Sequence, residues 1–126
     1  MSDAKYNEEH LWAKLDDLDM VVVGISEHAQ EQLGDIVYVE LPQVGREVTF
    51  GEEIAMIESV KTTSEISSPV SGEIREVNEA LGDSPEIINE SPLDDGWLMR
   101  IEPSDLSELD ELMDEDAYRE FVESET

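Results

Sequence analysis

Lys61 is one of three lysines in the chain, and the other two, Lys5 and Lys14, fall within the first fourteen residues. It interrupts a run of strand-forming residues, I-E-S-V-K-T-T-S-E-I, with Gly51 ten residues before it and Gly72 eleven after. The pattern predicts a hairpin with arms Glu53–Val60 and Thr63–Ser67 and Lys61 at its tip. A lysine on a tight, protruding turn is accessible to a modifying enzyme while ladder hydrogen bonds hold its backbone. Those are the needs of a carrier lysine. They are equally met by a plain surface lysine that blunts a sheet edge, and spacing alone leaves both readings open.

Other chemistry is sparse. His10 and His28 are the only histidines, and neither sits near a serine in a nucleophile-elbow setting. No glycine loop of the phosphate-cradling or dinucleotide type is present. Pairs such as Asp94-Asp95 are unavoidable in so acidic a chain and read as solvated surface rather than general acid–base groups. Asp83–Asp95 offers oxygen ligands for calcium or magnesium but lacks EF-hand spacing. The absence of cysteine removes disulfides, thiolate metal sites and thiol nucleophiles.

The elements that must position Lys61 read mainly as β-strands, because turn signals recur every eight to twelve residues. Asp19–Ser26 predicts a strand, after which Ser26 caps a helix over Glu27–Leu33 that Gly34 stops. Asp35–Leu41 alternates Ile36 and Tyr38 against Val37 and Val39, a strand closed by Pro42. Arg46–Phe50, Glu73–Val77 and Gly96–Ile101 complete the predicted strands, with a loop over Asn78–Asp95. From Ser104 the spacing of Leu106, Leu109, Leu112 and Met113, and then of Tyr118, Phe121 and Val122, predicts two amphipathic helices. The chain is expected to form one domain over residues 1–126, with 104–123 as a C-terminal helical extension.

The 126 residues carry 34 acidic against 7 basic side chains, a formal net charge of −27. That excludes non-specific nucleic-acid binding and docking on anionic membranes, which both need basic surface. No apolar run approaches the roughly 20 residues of a spanning helix, and Met1 is followed by polar residues. A cytoplasmic protein is expected. Low hydropathy with high charge is also a signature of disorder, but the β-branched runs Val21–Val23 and Ile36–Val39 favour folding. A carboxylate-rich surface is relieved by screening, since the Debye length falls to about 3 Å at 1 M salt, so a halophilic source is expected.

Glu58 to Ile74, E-S-V-K-T-T-S-E-I-S-S-P-V-S-G-E-I, closely resembles the lipoyl-lysine segment of the glycine cleavage system H proteins. Gly24 to Gly45 is similar to that family's G-I-T-x-x-A-Q-x-x-L-G-D-I-V-F-V-E-L-P-x-V-G block. Glu76 to Ile101, with its G-W before the last strand, and the tail Leu109 to Phe121 also follow the family pattern. The resemblance is collinear over nearly the whole chain.

It implies a mainly β fold, a lipoyl-domain-like flattened barrel or sandwich of two antiparallel sheets with short peripheral and C-terminal helices. It also implies a non-catalytic lipoyl carrier, with lipoate covalently attached to Lys61 by a lipoate ligase or transferase. Its implied partners are glycine decarboxylase (the P protein), aminomethyltransferase (the T protein) and dihydrolipoamide dehydrogenase (the L protein), and the family habit is a monomer. The aminomethyl group of glycine passes from P to T on the arm, and the L protein reoxidises it. Under this reading Glu58 and Glu65 steer the ligase toward Lys61, while Ser59, Val60 and Thr62 supply small size or β-branched stiffness at the tip. Glu65 also fills the acidic position of the family's arm cleft, where Asp is more usual. The family's E-H-E-W appears as Glu9-His10-Leu11-Trp12, so Leu11 removes a carboxylate credited with touching the loaded arm.

Neighbouring classes fit less well. A lipoyl domain of a 2-oxoacid dehydrogenase has D-K-A at the lysine, and a biotinyl domain has methionines where Val60 and Thr62 stand. An H-like lipoate donor or relay, and an acidic non-catalytic interaction module, remain as alternatives.

Overall fold

A computed structural model describes residues 5–7, 10–16, 19–92 and 95–125. Glu9 and Asp94, and the side chain of Leu106, lie outside the described residues. The strands are β1 (Lys5–Tyr6), β2 (Leu11–Leu15), β3 (Val21–Ile25), β4 (Ile36–Glu40), β5 (Glu47–Val48), β6 (Glu53–Ser59), β7 (Thr63–Ser67), β8 (Gly72–Val77) and β9 (Met99–Pro103). The helices are α1 (Glu27–Leu33), α2 (Ala80–Asp83), α3 (Ile87–Glu90) and α4 (Glu115–Glu125). A six-stranded sheet runs β1-β2-β3-β9-β8-β5, and a three-stranded sheet runs β4-β6-β7. The paired strands are all antiparallel, and the two sheets do not close into a barrel: the fold is an open sandwich.

The core forms where β-branched residues of both sheets meet. Val21, Val23, Ile25, Ile74 and Ile101 come from the larger sheet; Ile36, Val39, Ile54, Ile57 and Ile66 come from the smaller. Each fully buried aliphatic side chain stabilises the fold by about 1.5–3 kcal/mol. Ser26 caps α1 as expected, its hydroxyl accepting from Ala29 N, and Gly34 ends it. This helix therefore leaves the larger sheet and delivers the chain to β4 in the smaller one.

Four features differ from the sequence reading. The simple alternation over Ile36–Val39 fails, because a bulge between Ile36 and Tyr38 turns both Val37 and Tyr38 outward. An extra residue in one strand of a pair breaks the two-residue period. The loop over Asn78–Asp95 contains α2 and α3, each a single turn and so too short to show helical periodicity. The first tail helix, over Leu106–Glu111, is a 3₁₀ helix; the three-residue spacing of Leu106, Leu109 and Leu112 suits three residues per turn. Finally, β1 and β2 add two strands before Asp19 that the turn signals did not mark.

The outer side of the larger sheet carries a second, aromatic cluster. Tyr6, Trp12 and Tyr118 are buried there, with Trp97, Met113, Phe121 and Val122 packed on them. Tyr6 and Tyr118 stack with ring centroids 4.4 Å apart. The Tyr118 hydroxyl lies 2.7 Å from both Ser26 Oγ and His10 Nδ1, tying α4 to the capping residue of α1.

Candidate functional site

The β6–β7 hairpin pairs Glu58 with Thr63 and Met56 with Glu65, leaving Val60, Lys61 and Thr62 at the tip. Ser59 organises this turn. Its backbone N–H donates to Thr62 O at 2.8 Å, and its hydroxyl donates to the same carbonyl at 3.1 Å. The hydroxyl oxygen also accepts from Lys61 N at 3.2 Å and Thr62 N at 3.1 Å. Ser59 is itself buried, whereas Lys61 and Thr62 are exposed and Val60 is 64% exposed. The turn thus puts a lysine outward on a backbone fixed from inside.

Lys61 is accessible as expected, but its stem does not stand free. It lies against Gly34 at the end of α1: a β-carbon built there would stand 3.2 Å from Lys61 Cε. Among the described residues the four arginines all pair with carboxylates, whereas Lys61 forms no ion pair. Lys14 is exposed on the face of β2, and Lys5 is half-buried on β1, so neither shares the turn setting.

The sequence-derived neighbours separate. Glu58 is exposed beside the tip, in register with Tyr38 and Thr63. Glu65 sits farther along β7 and lines a surface groove of about 470 Å³ with Leu41, Pro42, Arg46 and Met56. Leu11 is 1% exposed and belongs to the main core, so this side chain is a packing element. Trp12 is buried, its Nε1 donating to Pro92 O at 2.9 Å, and His10 joins the cluster under α4.

Two residues near the lysine went unread in the sequence. The sequence marks Gly34 only as a helix stop, and Asn89 falls within the stretch it marks as a loop. Asn89 Nδ2 donates to Gly34 O at 2.7 Å, a link across 55 residues that no local spacing signals. Among the described residues no group of three or more His, Asp or Glu side chains is placed to hold a metal ion. Among them, too, no helix is long and apolar enough to cross a membrane.

A two-sheet sandwich that holds a lysine outward on a braced hairpin tip defines a carrier-type domain. A family model described as glycine cleavage H-protein matches residues 4–125. The glycine cleavage system H protein of Thermus thermophilus is 53% identical over 123 residues, covering 98% of this chain and 95% of its own. That of Saccharophagus degradans is 50% identical over 124 residues, covering 98% and 95%. The crystal structure of a glycine cleavage system H protein from Mycobacterium marinum superposes with a TM-score of 0.85 at 36% identity, covering 99% of this chain and 98% of that one. The chain belongs to the glycine cleavage H-protein family, the non-catalytic lipoyl carriers of the glycine cleavage system.

Proposed function

We propose that Lys61 is the lipoyl attachment residue, so that this chain carries the aminomethyl group of glycine from glycine decarboxylase to aminomethyltransferase. It then hands electrons to dihydrolipoamide dehydrogenase. The observation that carries this reading is the tip itself: an exposed lysine whose backbone is braced by the buried Ser59 hydroxyl. A lipoate ligase or transferase forms the amide as Nζ displaces the leaving group of an activated lipoyl carboxyl, and the amine proton passes to solvent. Lipoate supplies the redox-active dithiolane on which the carried group and the electrons ride.

The chain's own residues hold and present. Ser59 keeps the turn tight, Val60 and Thr62 flank the lysine without a bulky group, and Glu58 places a carboxylate beside it for a basic ligase surface. Glu65, in the groove along β6 and β7, lines a resting place for the arm. Tethering raises the local concentration of the carried group at each docked partner. The single domain, with 104–123 as its extension, works as a cytoplasmic monomer under this reading. The test is intact mass and peptide mapping across Glu58–Ile74 of native-source protein. A lipoyl amide on Lys61, absent from Lys61→Ala, is expected. An unmodified Lys61 in cells that lipoylate other proteins would overturn the reading in favour of the acidic interaction module.

A further inference from the structure

Gly34 closes α1 at φ +78° and ψ −148°, a conformation that only glycine adopts readily. Lys61 borders the space a β-carbon would occupy there: that atom would stand 3.2 Å from Cε, a crowded approach, and 3.5 Å from Cδ and 3.6 Å from Nζ, at ordinary contact. The lysine stem therefore runs alongside Gly34, close enough that a β-carbon there would crowd Cε. Two further contacts fix the tip relative to this seat. Val60 N donates to Asp35 O at 3.0 Å, joining the hairpin tip to the residue after Gly34. Asn89, from α3, donates through Nδ2 to Gly34 O at 2.7 Å and to Gln30 Oε1 at 2.9 Å. Its Oδ1 accepts from Ile36 N at 2.8 Å. One amide side chain thus secures both ends of the α1–β4 turn.

We infer that Gly34 and Asn89 are positioning residues for Lys61, setting the direction in which the lysine, and then the arm built on it, leaves the protein. The role rests on the reading of Lys61 as the acylated residue and deepens it. A lysine side chain free in solvent samples many rotamers and loses that freedom on docking. With Cδ and Cε alongside Gly34, part of that ordering precedes the encounter with the acylating enzyme. Acylation at Nζ leaves Cδ and Cε unchanged, so the same seat serves the loaded state.

The test is ¹³C relaxation at the lysine Cε positions of the unmodified full chain, with exposed Lys14 as internal reference, together with lipoate ligase kinetics. Lys61 Cε is expected to be more ordered than Lys14 Cε, with a nuclear Overhauser contact to the Gly34 α-protons. Asn89→Asp keeps the acceptor for Ile36 N but loses the donor to Gly34 O. It should weaken that contact and raise KM for the protein about two- to tenfold with kcat unchanged, the range for ordering one flexible side chain. Gly34→Ala should do so more strongly; if it fails to fold, the unaltered protein and Asn89→Asp still decide. A Lys61 as mobile as Lys14 that is nevertheless acylated overturns the positioning role alone. A seated Lys61 that no ligase acylates overturns both that role and the carrier reading.

Discussion

Ser59→Ala removes the side-chain oxygen that braces the turn carrying Lys61. Its hydroxyl makes three hydrogen bonds, at 3.1, 3.2 and 3.1 Å, inside a four-residue tip. Isolated bonds contribute about 0.5–1.5 kcal/mol each. Here they share one oxygen, lie at the long end of the range and involve amides that water can reach once the tip opens, so their energies do not add in full. The expected loss is about 1–2 kcal/mol, which accelerates amide exchange at Lys61 and Thr62 about 5- to 30-fold. Residue-resolved hydrogen exchange measures this directly, and urea unfolding bounds the global share. Ser59→Thr keeps the hydroxyl and should restore the slow exchange, although its extra methyl must fit a buried position. Unchanged exchange in Ser59→Ala would refute the bracing role and show that the backbone bonds, Ser59 N to Thr62 O and Val60 N to Asp35 O, hold the turn.

Gly24→Ala should destabilise the fold by about 2–3 kcal/mol, because overpacking and a lost hydrogen bond combine. Its β-carbon would stand 2.5 Å from the Trp12 ring and displace the indole from Pro92 O; urea unfolding tests it, and an unchanged midpoint counts against the packing described. Tyr118→Phe should cost about 1–3 kcal/mol for the two lost hydroxyl contacts, read by the same unfolding curve. The Arg46 hydrogen bond, followed by that from Thr49 N, holds the Glu52 carboxyl below its ordinary 4.5. A lowered folded value means stability present above pH 4.5 and lost as pH falls through the lowered value, so ¹³C titration should find Glu52 low and Arg46→Gln should raise it. We propose salt adaptation for the −27 surface: melting temperature should climb between 0.1 and 2 M sodium chloride as the Debye length shrinks from about 10 Å, and a flat profile would refute it.

Local signals explain what was legible. The Ser26 cap, the Gly34 stop and the β6–β7 hairpin each rest on residues within a few positions of one another, and each was read from sequence. The Val37–Tyr38 bulge depends on how β4 pairs with β6, about twenty residues away, so alternation alone assigned the wrong face to one of the two residues. Asn89 reaches Gly34 and Ile36 only through tertiary packing, and α3 offers a single turn to announce it. The tail's apolar periodicity predicts helices without specifying their type, and over Leu106–Glu111 the three-residue spacing is met by 3₁₀ geometry. For Lys61, scarcity and placement suggest a role, and only the resemblance over Glu58–Ile74 implies that the role is lipoyl attachment.

The open sandwich leaves β4 and β7 as edges of the smaller sheet, and β4 exposes Val37 and Tyr38, each about half accessible. Such a strand is a template on which a second copy could polymerise. In dilute buffer, mutual repulsion between highly charged molecules discourages that encounter. Concentrated salt suppresses the repulsion, and the irregularity at Val37 then becomes the remaining guard, because a kinked edge cannot extend a straight ladder. The bulge thus protects the edge most where salt has screened the repulsion between copies.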